Sequence, residues 1–290
     1  MKLLVAIFGL ISLLPCFSEG YRIVHRTDYR YDRPISMGSQ TLRFAPNGYD
    51  TRVRDYRLKI DPHTAAISTT TAPDGAKTAV VSLREKTDRF QITSSFTFTP
   101  EAHDEDKLYF LSPQQTKLSA VFLETHQHGD RFDQILVEWD LEDHQSEMLF
   151  LIDLGQWISK EFGYIERYEP GCLTPDELLE QGRGACRDLT SFMVEVLRHS
   201  GIPARFASGY LIQPDYSKIS FHAWCEAYLS EFGWVGMDAT SGYLVHAHHV
   251  LLQSGPDQDS VAPVEGAIDE CETEFQYKMT IVPDPSTTKN

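Results

Sequence analysis

Gly182-Arg183-Gly184-Ala185-Cys186-Arg187-Asp188-Leu189 is the stretch that decides the fold. Two glycines break the chain, and a helix follows. Leu189, Phe192, Met193, Val196 and Leu197 recur at three- and four-residue steps, giving that helix one buried stripe. Gly201 and Pro203 end it. Cys186 therefore falls at the first turn, where unpaired backbone N–H groups favour negative charge. Downstream, Ala204 to Ile212 reads as a β-run. The stretches Ser220 to Tyr228, with His222, and Gly233 to Thr240, with Asp238, read as the next two strands. A helix followed by strands predicts an α+β core.

Cys186, His222 and Asp238 stand in the order nucleophile, base, orienter. A thiol becomes a strong nucleophile when a base takes its proton, and the base needs a partner to fix its tautomer. The Cys186 N–H is the natural first oxyanion donor; the second is not readable from sequence. Asp188 reads as a first-turn acid that stabilises the helix. Trp224 and Trp234, near the triad in sequence, either wall the substrate groove or pack in the core. His246-Ala247-His248-His249 is the most metal-like cluster, but no C-x-x-C pair or acidic partner accompanies it. His126, His128 and His144 lack carboxylate or Cys partners at ligand spacing and read as solvated surface. No metal is expected.

With these residues the chain resembles the bacterial transglutaminase-like family. The resemblance is carried by GACRDLTSFMVEVLRHSGIPARFASGYL from Gly184 to Leu211, by HAW at 222–224 and by GWVGMDAT at 233–240. It extends to Tyr21–Thr27 and Leu42–Pro46 near the N-terminus, and resumes at His249-Val250 and from Pro263 to Gly266. The family's usual Asp-Pro-Thr-Asn is here Asp238-Ala239-Thr240-Ser241, and the apolar residue usual after HAW is Cys225. The resemblance implies a papain-like transglutaminase-type core, a nucleophile helix packed on an antiparallel sheet, with Cys186, His222 and Asp238 as the catalytic triad. It implies a Cys thioester and acyl transfer on amide groups of a peptide or protein substrate, with no cofactor. The same triad serves cysteine proteases and amidases. A reading of another class is a non-catalytic binding or scaffold protein of the envelope with a vestigial triad.

The 290 residues suffice for two modest domains, and a hydrophobic content of 41% is ordinary for a folded chain. The formal charge of −16 would repel a phosphate backbone, so nucleic acid is excluded as a partner class. Residues 1–18 have the form of a signal peptide: Lys2, the apolar run Leu3 to Leu14, then small residues. That predicts a periplasmic or secreted protein with no integral membrane segment after signal removal; a cytoplasmic location is the alternative. Residues 19–110 alternate with period two, as in Tyr56-Arg57-Leu58-Lys59-Ile60. Turn signals such as Pro73-Asp74-Gly75 punctuate them, which predicts an antiparallel β-sandwich-like domain. Residues 111–145 read as a linker region and 146–285 as the catalytic domain. Within the latter, Met148 to Ile165 reads as a helix, Thr174-Pro175-Asp176-Glu177 as a capping box, and Phe275 to Val282 as a strand. Of the five cysteines, Cys225 faces away from His222 and should be buried. A Cys172–Cys271 bridge is left open by the sequence.

Overall fold

The computed structural model describes residues 20–100 and 119–284. The proposed signal peptide lies outside the described residues.

Six strands come first: β1 (Tyr21–Ile35), β2 (Gln40–Leu42), β3 (Val53–Asp61), β4 (Ala66–Thr71), β5 (Lys77–Ser82) and β6 (Thr87–Phe98). Helices α1 (Asp130–Glu138) and α2 (Glu147–Glu161) follow. Short β7 (Gly163–Tyr164) then leads to α3 (Pro175–Gln181), β8 (Arg183–Gly184) and α4 (Cys186–His199). Next come β9 (Ala204–Ile212), β10 (Ile219–Leu229), β11 (Gly233–Asp238), β12 (Tyr243–Leu244) and β13 (His249–Gly255). The described chain closes with β14 (Val264–Glu265) and β15 (Thr273–Pro283). The result is the α+β fold expected: an N-terminal β region and an antiparallel core sheet with α4 packed on it.

The core sheet has the order β12-β11-β10-β9-β13. Leu189, Phe192, Met193, Val196 and Leu197 of α4 are all buried against it, together with Phe150, Leu154 and Ile158 of α2. Cys225 faces this cluster and is fully buried. At about 25 cal/mol per Å² of apolar surface, each such side chain contributes roughly 1.5–3 kcal/mol. The helix ends follow the sequence signals. Thr174 and Glu177 form the capping box before α3, and Gly182 closes that helix at φ 64°, a left-handed conformation that glycine adopts without strain.

The N-terminal strands build two sheets, β15-β1-β6-β3 and β14-β2-β5-β4. Both recruit strands from beyond the core. β15, grouped above with the catalytic segment, pairs antiparallel with β1 from Tyr21↔Pro283 to Tyr31↔Thr273. One face of the first sheet packs on the core sheet: Ile23, Phe96 and Phe98 meet Tyr210, Ile212, Val250 and Leu252. The segment read as a linker holds α1, whose Phe132 is fully buried in the core cluster, beside the short helical turn Ala120–Leu123.

Candidate active site

Cys186 is the first residue of α4. The loop before it is set by close packing: a Cβ on Gly184 would lie 2.8 Å from Leu178 and 2.9 Å from Asp188. Asp188 is completely buried. Its carboxylate accepts the backbone N–H of Ala185 (2.7 Å) and of Leu173 (2.8 Å), and pairs with Arg167 at 2.8 Å. Arg187 donates to the carbonyls of Gly171, Arg167 and Glu169. The two residues after the thiol thus tie down the loop from Tyr164 to Leu173 that flanks it. The first-turn role expected of Asp188 is present; the anchoring of a distant loop was not visible in the sequence.

His222 lies on β10 opposite Gly209 of β9. Asp238 ends β11 and is almost fully buried. Its Oδ2 takes a hydrogen bond from His222 Nε2 at 2.9 Å, while Oδ1 accepts the backbone N–H of Thr240 at 2.9 Å. That second bond holds the carboxylate at the turn Asp238-Ala239-Thr240-Ser241. With Nε2 committed to Asp238, Nδ1 of His222 is the nitrogen left for the thiol. Burial works to lower the His222 pKa, but Asp238 and Cys186 outweigh it and push it up to about 10. Burial likewise works against the Asp238 carboxylate. Hydrogen bonds from His222 and His249 overcome it and hold the group below the usual carboxylate range.

His249, which the sequence offers as part of the His246–His249 cluster, joins the pair. It is wholly buried, and its Nε2 lies 3.4 Å from the same Oδ2 of Asp238. Burial keeps its pKa below the ordinary histidine value, so the ring sits neutral behind the pair. The strand carrying it is held from across the molecule: Arg52 donates to the carbonyls of Ala247 and His249, and Asp50 pairs with Arg52 at 2.7 Å inside the protein. The link from the His246-Ala247-His248-His249 cluster to Asp238 depends on a fold contact that no spacing rule supplies. His222, Asp238 and His249 also bring ligand atoms within 4.8 Å of one another. A cation there would compete with the His222 proton for the same carboxylate oxygen.

Trp224 and Trp234 do not wall the cleft. Trp224 is fully buried among Ala207, Val245 and Leu251, and its ring stands edge-on to His249 at 5.2 Å. A Cβ on Gly209 would lie 2.6 Å from the Trp224 indole, so this indole fills the space above the glycine. Trp234 is buried under the guanidinium of Arg205, 3.8 Å from the ring centre. Both are packing residues because their strand positions face inward between layers. His126 and His128, read as solvated surface for want of a carboxylate, meet one: Glu195 of α4, at 2.7 and 3.1 Å. Burial works to raise the Glu195 pKa, yet these two imidazoles lower it overall. The four described cysteines are free thiols, so no Cys172–Cys271 bridge is present.

Cys186 and His222 share a cavity of about 370 Å³ between the core and the N-terminal sheet. Its far wall comes from β1 and β15, with His25, Tyr29, Phe275, Tyr277 and Met279. Tyr164 and Tyr168 stand at the mouth, 54% and 75% exposed.

A mixed α/β protein with a thiol at a helix start, facing a buried His–Asp pair, is the class that fold and cleft define. The chain belongs to the transglutaminase-like superfamily: residues 142–239 match the Transglutaminase-like superfamily model, and residues 21–99 match the Bacterial transglutaminase-like N-terminal region. Cysteine proteases and acyltransferases both use this fold. An uncharacterized protein of Mycobacterium leprae is 24% identical over 266 residues, covering 84% of this chain and 91% of its own. One of Mycobacterium tuberculosis is 24% identical over 289 residues, covering 89% and 90%. Among solved structures, a candidate cysteine protease from Cytophaga hutchinsonii is similar in fold. Its TM-score is 0.67 at 16% identity, over 91% of this chain and 90% of that one. Among the described residues, no helix is long and apolar enough to cross a membrane.

Proposed function

We propose that the chain is a thiol acyl-transfer enzyme acting on amide groups of peptides or proteins through a thioester on Cys186, with His222 as base and Asp238 as its orienter. The observation that carries this reading is the buried 2.9 Å bond between His222 and Asp238 beside a thiol at the start of a helix. His222 Nδ1 takes the Cys186 proton, and the sulfur attacks the amide carbonyl. The resulting oxyanion forms beside the first-turn N–H groups of α4. The C–N bond then breaks, the imidazolium gives its proton to the leaving nitrogen, and a thioester remains. An amine or water, deprotonated by His222, then attacks the thioester and returns the thiol. Amine acceptors give crosslinks; water gives deamidation or, on a backbone amide, cleavage.

Product mass on a Gln peptide, with and without a primary amine, tests the reading. Ammonia release with amine incorporation supports the transferase. Backbone cleavage replaces it with the protease that shares the triad. An unchanged peptide, together with iodoacetamide reacting no faster at Cys186 than at Cys172, defeats both and favours a binding protein. Cys172 is a fair control because burial pushes its thiol up to about 12. The segment from Lys2 to Ser18 places this activity outside the cytoplasm in our reading. N-terminal sequencing of the native protein checks it, and an intact Met1 overturns it.

A further inference from the structure

The far wall of the cleft ends in β15, and that strand is an edge. It is the terminal member of its sheet, hydrogen-bonded to β1 alone among the described strands. It is 11 residues long, about 35 Å at the usual rise per residue. Proteins guard such edges with charged side chains, proline, bulges or brevity, because a row of unpaired N–H and C=O groups recruits another strand. β15 is long, its pairing with β1 runs without a register shift, and its charged residues Glu274 and Lys278 alternate onto the face away from the cleft. Its cleft-facing residues are apolar or aromatic.

Those residues point to an occupant. Phe275, Tyr277 and Met279 alternate along the strand, share one face, and line the same cavity as Cys186 and His222. Phe275 and Tyr277 are 51% and 50% exposed. Tyr277, Tyr164 and Tyr168 line the same cavity as Cys186. Across the mouth, Tyr164 and Tyr168 ride on the loop that Arg187 ties down. Four half-open rings around a thiol form an apolar surface that needs cover.

We propose that β15 is a docking edge for an extended peptide substrate, which adds to it as a further strand and carries its reacting side chain into the cleft. The proposal rests on the acyl-transfer reading for its chemistry but not for its test. Main-chain bonds to β15 supply affinity for any extended segment. Alternate side chains then face the cleft: the reacting amide meets Cys186, and residues two positions away meet Phe275, Tyr277 or Met279. The favoured substrate is an unfolded or flexible segment with aromatic or apolar residues two positions from the reacting one.

The probe is a fluorescein-labelled nonapeptide with a central Gln, Phe at two residues on either side, and Ala elsewhere. A series carries a single N-methyl group at each backbone nitrogen in turn. Binding is measured by fluorescence anisotropy to full-length Cys186→Ala, so no turnover is required. Strand addition predicts that Kd alternates with a two-residue period, methylation weakening binding about tenfold at one parity and little at the other. Tyr277→Ser in the same background should weaken the parent peptide several-fold. The circular dichroism spectrum of this variant should match the parent's, so that the weakening reads as a lost contact. Uniform sensitivity to methylation, or dependence on Tyr277 without alternation, overturns strand addition in favour of a peptide lying across the sheet face. No binding by any member also overturns it. Alternation in binding without wild-type turnover would instead leave the docking edge standing and remove the acyl-transfer reading.

Discussion

The two walls of the cleft are built on opposite principles. The core wall keeps its working groups out of water: Asp238 and His249 are buried, His222 nearly so, and each is held by a named hydrogen bond. The N-terminal wall leaves Phe275 and Tyr277 half in water. Reaction chemistry needs fixed geometry and a low dielectric, which burial supplies. Recognition needs surface that a partner can cover, which burial would remove. Substitutions on the two walls should therefore fail in different ways.

The largest expected effect is on the core wall. Cys186→Ala should abolish acyl-enzyme formation altogether, read as loss of the mass adduct on a Gln peptide, with an unchanged circular dichroism spectrum. Full activity in this variant would end the thioester mechanism.

Next comes Asp238→Asn, expected to lower turnover by about 10³–10⁴-fold, because the imidazole loses the partner that fixes its orientation. The pH profile sharpens this. His222 is raised to about 10, so its proton, and the stability the pair supplies, is fully present below the ordinary histidine value and lost as pH rises through about 10. Asp238 is lowered, so its contribution is present above the ordinary carboxylate value and lost as pH falls through its depressed pKa. In Asp238→Asn the alkaline fall in turnover should move to lower pH. An unmoved limb would mean that another group orients His222.

Arg52→Ala joins the walls. It removes the cation that holds the His249 strand and leaves Asp50 buried without its partner, which should cost about 3–5 kcal/mol of stability. Urea denaturation measures the loss. A cost below about 1 kcal/mol would show the two halves to be independently braced. The smallest effect belongs to the exposed rings at the mouth, across from the N-terminal wall: Tyr164→Ala should raise KM for a peptide several-fold and leave kcat nearly unchanged. A fall in kcat alone would move Tyr164 into the chemistry.

The core wall was legible in the sequence where signals are local. The α4 stripe, the Thr174–Glu177 capping box and the order of Cys186, His222 and Asp238 are each read within a short window or from a motif. What was not legible depends on partners far apart in sequence. β15 alternates only weakly, because most of its length is exposed and only one wall asks anything of it. Nothing in residues 273–283 announces that they pair with residues 21–31. The same holds for Glu195, whose imidazole partners lie about seventy residues upstream, and for Arg52, which reaches the carbonyl of His249, 197 residues away. Trp224 stayed open between groove and core for a different reason. Its place near His222 in sequence does not tell whether its strand position faces a cleft or a packed layer, and in the fold its indole lies over Gly209.

The pairing of Tyr21 with Pro283 has a consequence for the order in which the protein is made. A ribosome delivers β1 early and β15 some 240 residues later, so the first sheet waits with one flank bare while the whole core is synthesised. Contacts this distant in sequence slow folding, because their loop entropy is paid before they yield anything. The core, whose contacts are mostly its own, can close around His222 and Asp238 in the meantime. The part of the far wall that β15 supplies forms only when that strand emerges, so a nascent chain holds His222 and Asp238 together before the cleft beside them is complete.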